Sequence, residues 1–499
     1  MFSADKNSLK ILFVASEAAP FAKAGGLGEV MRSLPEALRR IGHDARVFTP
    51  KYATIDTAEY PLKIVTANLP LINKEQDPYG LIISNILAYS DKNGSITNYF
   101  LENMEYYEKR ANVYGYTDDT TRWLLLSRGV LEFVRQSDWK PDVIVASDWQ
   151  TGFIPNMIEV ELKDDPTLSR IATVYSIHNL KYQGLFNPNF VSEIDYDSGQ
   201  GPLPDYFDPN VTKLNGARRG LLYADVINTV SPTYAKEILL PEYGEKLNEV
   251  LKERKERLFG ILNGIDYDTF NPETDPALAE NYSFKKLKHR AKNKPVLQQK
   301  MGLPVVDKFL LGFVGRLDSQ KGIDLPLQTA DSLFDNLDMQ LVLLGEGDNQ
   351  YKLALQELQQ KYPDKEAVNL SFGAMETPRT IYAGADAVIV PSLFEPSGLV
   401  QMEAMRYGSI PIVRRVGGLA DSVSDYTPGE GKGTGFVFGK FDANAFLIAV
   451  VRAYETFRNK NEWEKLIGRA MAEDFSWSKS AQEYINLFKT AMGLHNKHQ

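Results

Sequence analysis

Cysteine is absent from this 499-residue chain. Disulfides, thiolate zinc sites, iron–sulfur clusters and cysteine nucleophiles are therefore excluded. Long apolar runs are missing too: none approaches the ~18 residues that a membrane-crossing helix needs. The first apolar stretch, residues 9–14, is too short for a signal-peptide core and has no basic segment before it. A cytoplasmic location is the expectation. Positive charge is not in excess, since 65 acidic side chains against 56 basic ones leave a net charge of −9. That balance argues against a nucleic-acid or anionic-membrane surface while leaving room for a local basic pocket. A structureless polyelectrolyte is excluded as well, because 43% of residues are apolar and 24% charged, ordinary values for a globular chain.

What the chain does contain is an alternation of apolar, β-rich runs with segments of helical period, the pattern of parallel sheets covered by helices. Strands are predicted at residues 11–16, 45–49, 143–147, 173–177 and 226–230 in the first half, and at 309–314, 340–344, 368–372, 387–390 and 410–413 in the second. They are continuous apolar runs, as expected of strands buried on both faces. Leu27, Val30, Met31, Leu34, Leu38 and Ile41 recur at helical spacing directly after Gly25-Gly26. Two doubly wound domains follow, residues 1–255 and 256–477. A last helix from 478 begins with the periodic stretch 478–489, and its final ten residues are expected to fray. The turn-rich stretch Gly260-Ile-Leu-Asn-Gly-Ile-Asp266 suits a hinge. Residues 70–120 fit the alternation worst and are expected to form an insertion or a substrate-facing loop region.

Three motifs fall at the carboxyl ends of predicted strands, where open α/β sheets bind ligands. Lys23-Ala-Gly-Gly-Leu-Gly-Glu-Val30 lies between the first strand and the first helix. Gly25 and Gly26 allow close backbone approach and Lys23 adds a cation, although a glycine pair at such a turn serves structure as readily as ligand binding. The stretch is not a G-x-G-x-x-G fingerprint, and no P-loop pattern occurs in the chain. Val314-Gly-Arg-Leu-Asp-Ser-Gln-Lys-Gly322 offers Arg316 and Lys321 to a single phosphate group or, equally, to solvent. Pro391-Ser-Leu-Phe-Glu-Pro-Ser-Gly-Leu399, followed by Val416-Gly-Gly-Leu419, puts Glu395 just past a strand and opens a helix at Gly398-Leu399. A carboxylate there can hold sugar hydroxyls while cations take phosphates; helix capping is its structural alternative.

Of the five histidines, His43, His289, His495 and His498 stand in polar surroundings and are expected at the surface. His178 ends a strand, and Asp148 in Ala146-Ser-Asp-Trp-Gln150 ends the preceding one in the same way. No metal-binding constellation is recognised, Asp266-Tyr-Asp268 being in the hinge, and a metal-independent mechanism with no cofactor is expected.

Taken together, these stretches resemble the bacterial glycogen synthases and plant starch synthases. The likeness runs over nearly the whole chain and includes His178-Asn-Leu-Lys-Tyr-Gln-Gly-Leu-Phe186, Thr229-Val-Ser-Pro-Thr-Tyr-Ala-Lys-Glu-Ile238, Leu343-Leu-Gly-Glu-Gly-Asp348 and Ile381-Tyr-Ala-Gly-Ala-Asp386. The resemblance implies a GT-B glycosyltransferase, α/β in class, whose two Rossmann-like domains face a deep cleft. It implies transfer of glucose from ADP-glucose to the non-reducing end of an α-1,4-glucan such as glycogen, with retention at the anomeric carbon. Carried over by position, Glu395, His178, Asp148, Arg316 and Lys321 form the catalytic set. Lys23, Gly25, Gly26, Gly345, Ser397, Gly398 and Leu399 join Arg316, Lys321 and Glu395 in binding the donor. The last helix is expected to return to the first domain.

The chain departs from the family pattern at Ser397, where cysteine is common, at Val400, where threonine is common, and at Gln150, where histidine is usual. Gly373 is followed by Ala374 rather than by the tyrosine that stacks on adenine. UDP-glucose as donor, another acceptor, and a silent glucan-binding protein are the alternatives. Tyr106, Tyr107, Tyr114, Tyr116 and Trp123 suit stacking on sugar rings, as they would also suit a core.

Overall fold

The alternation of buried strand and amphipathic helix produces two sheets. The computed structural model describes residues 8–73, 81–184, 197–206, 208–371 and 378–498. One unit comprises Met1–Val230, Ala235–Ile261 and Trp477–Gln499, the other Ser231–Tyr234 and Leu262–Ser476.

The first unit holds β1 (Lys10–Val14), β2 (Asp44–Pro50), β3 (Lys63–Asn73), β4 (Leu81–Ser90), β5 (Ile96–Glu102), β6 (Val143–Ser147), β7 (Ala172–Ile177), β8 (Val226–Thr229) and β9 (Leu258–Gly260). Their order across the sheet is β3-β4-β5-β2-β1-β6-β7-β8-β9. From β5 to β9 every pairing is parallel, with Phe13 opposite Val47 on one side and Val145 on the other. Burial on both faces explains the unbroken apolar runs: Leu12 and Phe13 point to opposite sides and both are fully buried. On one face Phe13, Val145 and Val174 pack with Leu34 and Leu38 of helix Gly26–Arg40 and with Tyr484 and Phe488 of helix Trp477–His498.

The second unit holds β10 (Phe309–Val314), β11 (Met339–Leu344), β12 (Glu366–Asn369), β13 (Ala387–Val390), β14 (Ile410–Arg414) and β15 (Phe436–Phe438). They form an all-parallel sheet ordered β12-β11-β10-β13-β14-β15.

Three expectations are corrected. Residues 70–120 are not an insertion of loops: β3, β4 and β5 extend the first sheet, with β3 antiparallel to β4 and β4 antiparallel to β5. Repeated register shifts between β3 and β4 break the period-two signal, and Ile64 and Ile83 stand exposed at 59% and 46%, so burial does not follow a regular alternation in this pair. The residues expected to fray are helical as far as His498. Helix Trp477–His498 continues past 489, and His495, expected at the surface, is buried. Its Nδ1 lies 3.1 Å from Asp225 Oδ2 and its Nε2 donates to the Ser169 carbonyl at 2.8 Å, a polar anchor that hydrophobic period cannot signal. β9 pairs with β8 and carries the first unit as far as Ile261, so the division between the two units falls within the turn-rich 260–266 stretch.

Candidate active site

In both sheets the strand order reverses at a central strand, β1 having β2 and β6 as neighbours and β10 having β11 and β13. Such reversals open a crevice beyond the strands' carboxyl ends, where doubly wound proteins take their ligands. The sequence motifs converge on these two places: Lys23 to Gly26 follow β1, Asp148 follows β6 and His178 follows β7, while Arg316 and Lys321 follow β10 and Glu395 follows β13.

In the first unit the glycine loop is already engaged. Glu17, buried to 2% exposure, accepts from the backbone N–H of Ala24 at 2.5 Å and of Gly25 at 2.8 Å through one carboxylate oxygen. Its other oxygen accepts from Tyr114 Oη at 3.1 Å, and that hydroxyl also lies 2.7 Å from Ser16 Oγ. The Gly25 N–H is therefore taken, and Gly26 is the residue that opens the helix. Lys23 is exposed, its Nζ resting 2.6 Å from Glu29 Oε1.

Asp148 and His178 form one local assembly. Asp148 Oδ1 accepts from the backbone N–H of His178 at 2.8 Å and of Asn179 at 3.3 Å. The Asp148 backbone holds a positive φ of 56°, a conformation that costs an ordinary residue roughly 1–3 kcal/mol. Its own N–H donates to the Ser176 carbonyl at 2.8 Å. Burial, reinforced by the charge of Glu17 and opposed by the two N–H donors, pushes the Asp148 carboxyl up to about 7. Burial pushes the His178 imidazole down to about 4, so it is neutral at pH 7. Its Nε2 meets Ser176 Oγ at 3.2 Å, and its buried Nδ1 has no hydrogen-bond partner among the described residues.

The tyrosine-rich segment divides. Tyr107 and Trp123 are fully buried and belong to the core, so neither can stack on a sugar. Between them lies Arg122, itself buried, paired with Asp119 at 2.6 Å and 4.7 Å from the Trp123 ring. Tyr106, Tyr114 and Tyr116 remain partly exposed.

In the second unit Lys321 Nζ reaches Glu395 Oε2 at 2.6 Å, and Ser392 Oγ donates to the same oxygen at 3.0 Å. Glu395 is 6% exposed. Asp318 caps the short turn that carries Lys321, accepting from the Lys321 N–H at 3.0 Å. Arg316 is more open, its guanidinium 3.4 Å from Asp318 Oδ2 and from Gln320 Oε1. Gly345 is required by close approach, since a Cβ there would lie 2.6 Å from the Gly315 carbonyl oxygen. Ser397 is buried with a partnerless Oγ, Gly398 takes a φ of 65°, and Leu399 precedes helix Val400–Arg406. Phe372, Gly373 and Ala374, where the base-stacking position is expected, lie outside the described residues.

Sequence reasoning missed several supporting residues. Glu17 stands three residues past β1, much as Asp148 directly follows β6, and that placement was the available signal. Arg414, at the end of β14, donates to the carbonyls of Ser392 and Leu393 and braces the Glu395 loop from beneath. Gly418 explains the glycine pair after Val416: its N–H donates to the Glu395 carbonyl at 3.2 Å, and a Cβ there would lie 1.9 Å from the Ser397 carbonyl oxygen. Away from both crevices, Glu159, Asp225 and His495 bring ligand-capable atoms within 4.8 Å of one another, where the His495–Asp225 pair anchors the last helix.

Residues 10–253 match the model of the starch synthase catalytic domain, and residues 297–465 that of glycosyl transferases group 1. The chain is 41% identical to a glycogen synthase of Desulforudis audaxviator over 497 residues, covering 97% of each. To a glycogen synthase of Thermotoga petrophila it is 42% identical over 495 residues, covering 97% of this chain and 99% of that one. Among solved structures it resembles the catalytic domain of starch synthase IV from Arabidopsis thaliana bound to ADP and acarbose, with a TM-score of 0.82 and 31% identity over 97% of this chain and 100% of that one.

Proposed function

This chain belongs to the glycogen and starch synthase family of GT-B glycosyltransferases, and we propose that it elongates glycogen by transferring glucose from ADP-glucose to the non-reducing end of an α-1,4-glucan. The observation that carries this reading is the meeting of Lys321 and Glu395 at the strand-order reversal of the second sheet, 2.6 Å apart with Arg316 in the same loop as Lys321. A nucleotide sugar needs a cation for its diphosphate and a carboxylate for its hydroxyls, and this pair supplies both. ADP in the starch synthase structure supports the adenine nucleotide.

Arg316 and Lys321 neutralise the charge that develops on the departing diphosphate. Of the three donor hydrogens on Lys321 Nζ, one is committed to Glu395, which fixes the ammonium near the leaving group. Glu395 holds the donor's sugar hydroxyls. In the first unit Lys23 contributes a further cation. His178, neutral at pH 7, places no positive charge beside an oxocarbenium-like transition state, and its partnerless Nδ1 is available to a sugar hydroxyl. Asp148 holds the backbone of His178 in place. Retention follows if the departing diphosphate takes the acceptor's proton on the face it leaves, so no side-chain base is required and no metal enters the scheme. A nucleotide-sugar donor fits a cytoplasmic location, and among the described residues no helix is long and apolar enough to cross a membrane.

Incubating the purified protein with ADP-glucose or UDP-glucose and a glycogen primer tests the reading. Glucan elongation with ADP release is expected. Turnover with UDP-glucose alone would overturn the donor, turnover of another acceptor the glucan, and glucan binding without turnover the enzymatic reading itself.

A further inference from the structure

The glycine loop of this family of sites is read most simply as a backbone cradle for the donor. Here two of its amides are occupied by the chain's own carboxylate. Glu17 is buried, accepts from Ala24 N–H and Gly25 N–H on one oxygen, and is held on the other by Tyr114 Oη, which Ser16 Oγ steadies in turn. Gly28 completes the arrangement from the helix side: a Cβ at that position would come within 3.1 Å of Glu17 Oε2 and 3.3 Å of Lys23 Cγ. One carboxylate oxygen thus binds the two amides that directly follow Lys23, and the space beside it is kept open by a glycine.

Resting on the donor reading above, we propose that Glu17 is a positioning residue: its carboxylate, locked by Tyr114, fixes the Lys23–Gly25 turn so that Lys23 is presented to the donor. The loop amides at Ala24 and Gly25 then serve the protein's own geometry and not the donor's phosphates. Binding that is uniform between ground and transition states shows as KM with kcat unchanged, so loss of the positioning raises the KM for ADP-glucose and spares the KM for glycogen.

Three variants of the full chain separate this from a merely structural role. Glu17→Ala removes both acceptors, and the donor kcat/KM should fall about tenfold to a hundredfold, through KM. Glu17→Gln retains an acceptor oxygen for the loop, and the Tyr114 hydroxyl can rotate to accept from the amide, so activity should return to within about threefold of the parent. Gly28→Ala adds a better helix former, which preserves or raises the melting temperature, yet crowds Glu17 and Lys23 and should raise the donor KM several-fold. Hydrogen exchange of the 22–28 segment supplies a readout independent of turnover. Exchange should quicken about tenfold or more in Glu17→Ala and by a smaller factor in Tyr114→Phe. Unchanged loop exchange in Glu17→Ala and Tyr114→Phe overturns the proposal, as does a donor KM in Gly28→Ala equal to the parent's. If the parent fails to use ADP-glucose, the functional reading falls, and loop exchange still decides the role of Glu17.

Discussion

Removing Lys321 tests the site and its energetics together. Glu395 is 6% exposed and, among the described residues, keeps Ser392 Oγ as its one other side-chain donor, so Lys321→Ala strands a carboxylate in a nearly dry place. Breaking a buried pair from one side costs about 3–5 kcal/mol. The Lys321 side chain is 22% exposed and the Ser392 bond survives, which brings the expectation down to roughly 2–3 kcal/mol. For a unit of this size each kcal/mol moves the melting temperature by roughly 2–4 °C, so the second unit's transition should drop by about 4–12 °C. Glu395→Gln should cost less, because the stranded ammonium can turn to water. The double variant Lys321→Ala/Glu395→Gln leaves no unpaired charge and should recover most of the loss, giving a coupling of about 1.5–3 kcal/mol. Calorimetry of the four proteins measures this, and elongation assays run alongside. Stability should return in the double variant while elongation stays at least about a hundredfold down in all three. Additive stabilities, or near-parental elongation in Lys321→Ala, would refute the reasoning.

Other outcomes follow from buried titratable groups and crowded backbone. Glu366 is fully buried, neither carboxylate oxygen has a partner among the described residues, and burial pushes the group up to about 8. An acid raised in the folded state carries no penalty below its ordinary pKa. Wild-type stability should therefore fall by up to about 1.4 kcal/mol per pH unit from pH ~4.5 to ~8 and then level off. Glu366→Gln should abolish that slope and melt several degrees higher at pH 8; an unchanged slope would rule out the cause. His495 is raised by its hydrogen bond to Asp225, so its contribution is complete below pH ~6.5 and disappears as pH rises through the folded pKa. Melting of the first unit in His495→Gln should lack that alkaline loss. With Asp148 at about 7, donor kcat/KM should rise with pH through that value as the carboxylate forms, and Asp148→Asn should flatten the profile. Gly418→Ala drives a methyl into the Ser397 carbonyl, and elongation should fall more than about a hundredfold by assay, with the second unit destabilised in the same samples.

Sequence legibility followed burial. β1, β6, β7, β10 and β13 were visible because strands covered on both faces are apolar throughout, and the residues just past them were legible because polar and glycine motifs interrupt those runs. β3 and β4 were hidden by shifts of register and by exposed residues such as Ile64 and Ile83, and β5 by the shortness of its apolar stretch Tyr99-Phe100-Leu101 between polar residues. Glu17 escaped notice because its importance lies in what it accepts, the amides of Ala24 and Gly25, which sequence cannot express. Distance hid His495: its partner Asp225 is 270 residues away, so polar neighbours in the chain gave the opposite impression of its surroundings. Tyr107 and Trp123 were ambiguous between sugar platform and core, and only the packing around Arg122 decided it.

The helix Trp477–His498 belongs to the first unit although all of the second unit precedes it in the chain. A protein is made from its amino terminus, so the strands of the first sheet emerge long before the residues that cover them. Val145, Val174 and Phe13 must wait for Tyr484 and Phe488. The second unit, contiguous except for Ser231–Tyr234, has all its parts once Ser476 has left the ribosome. Order of completion is thus the reverse of order of synthesis, and the apolar face awaiting its helix is the surface a chaperone would have to shield.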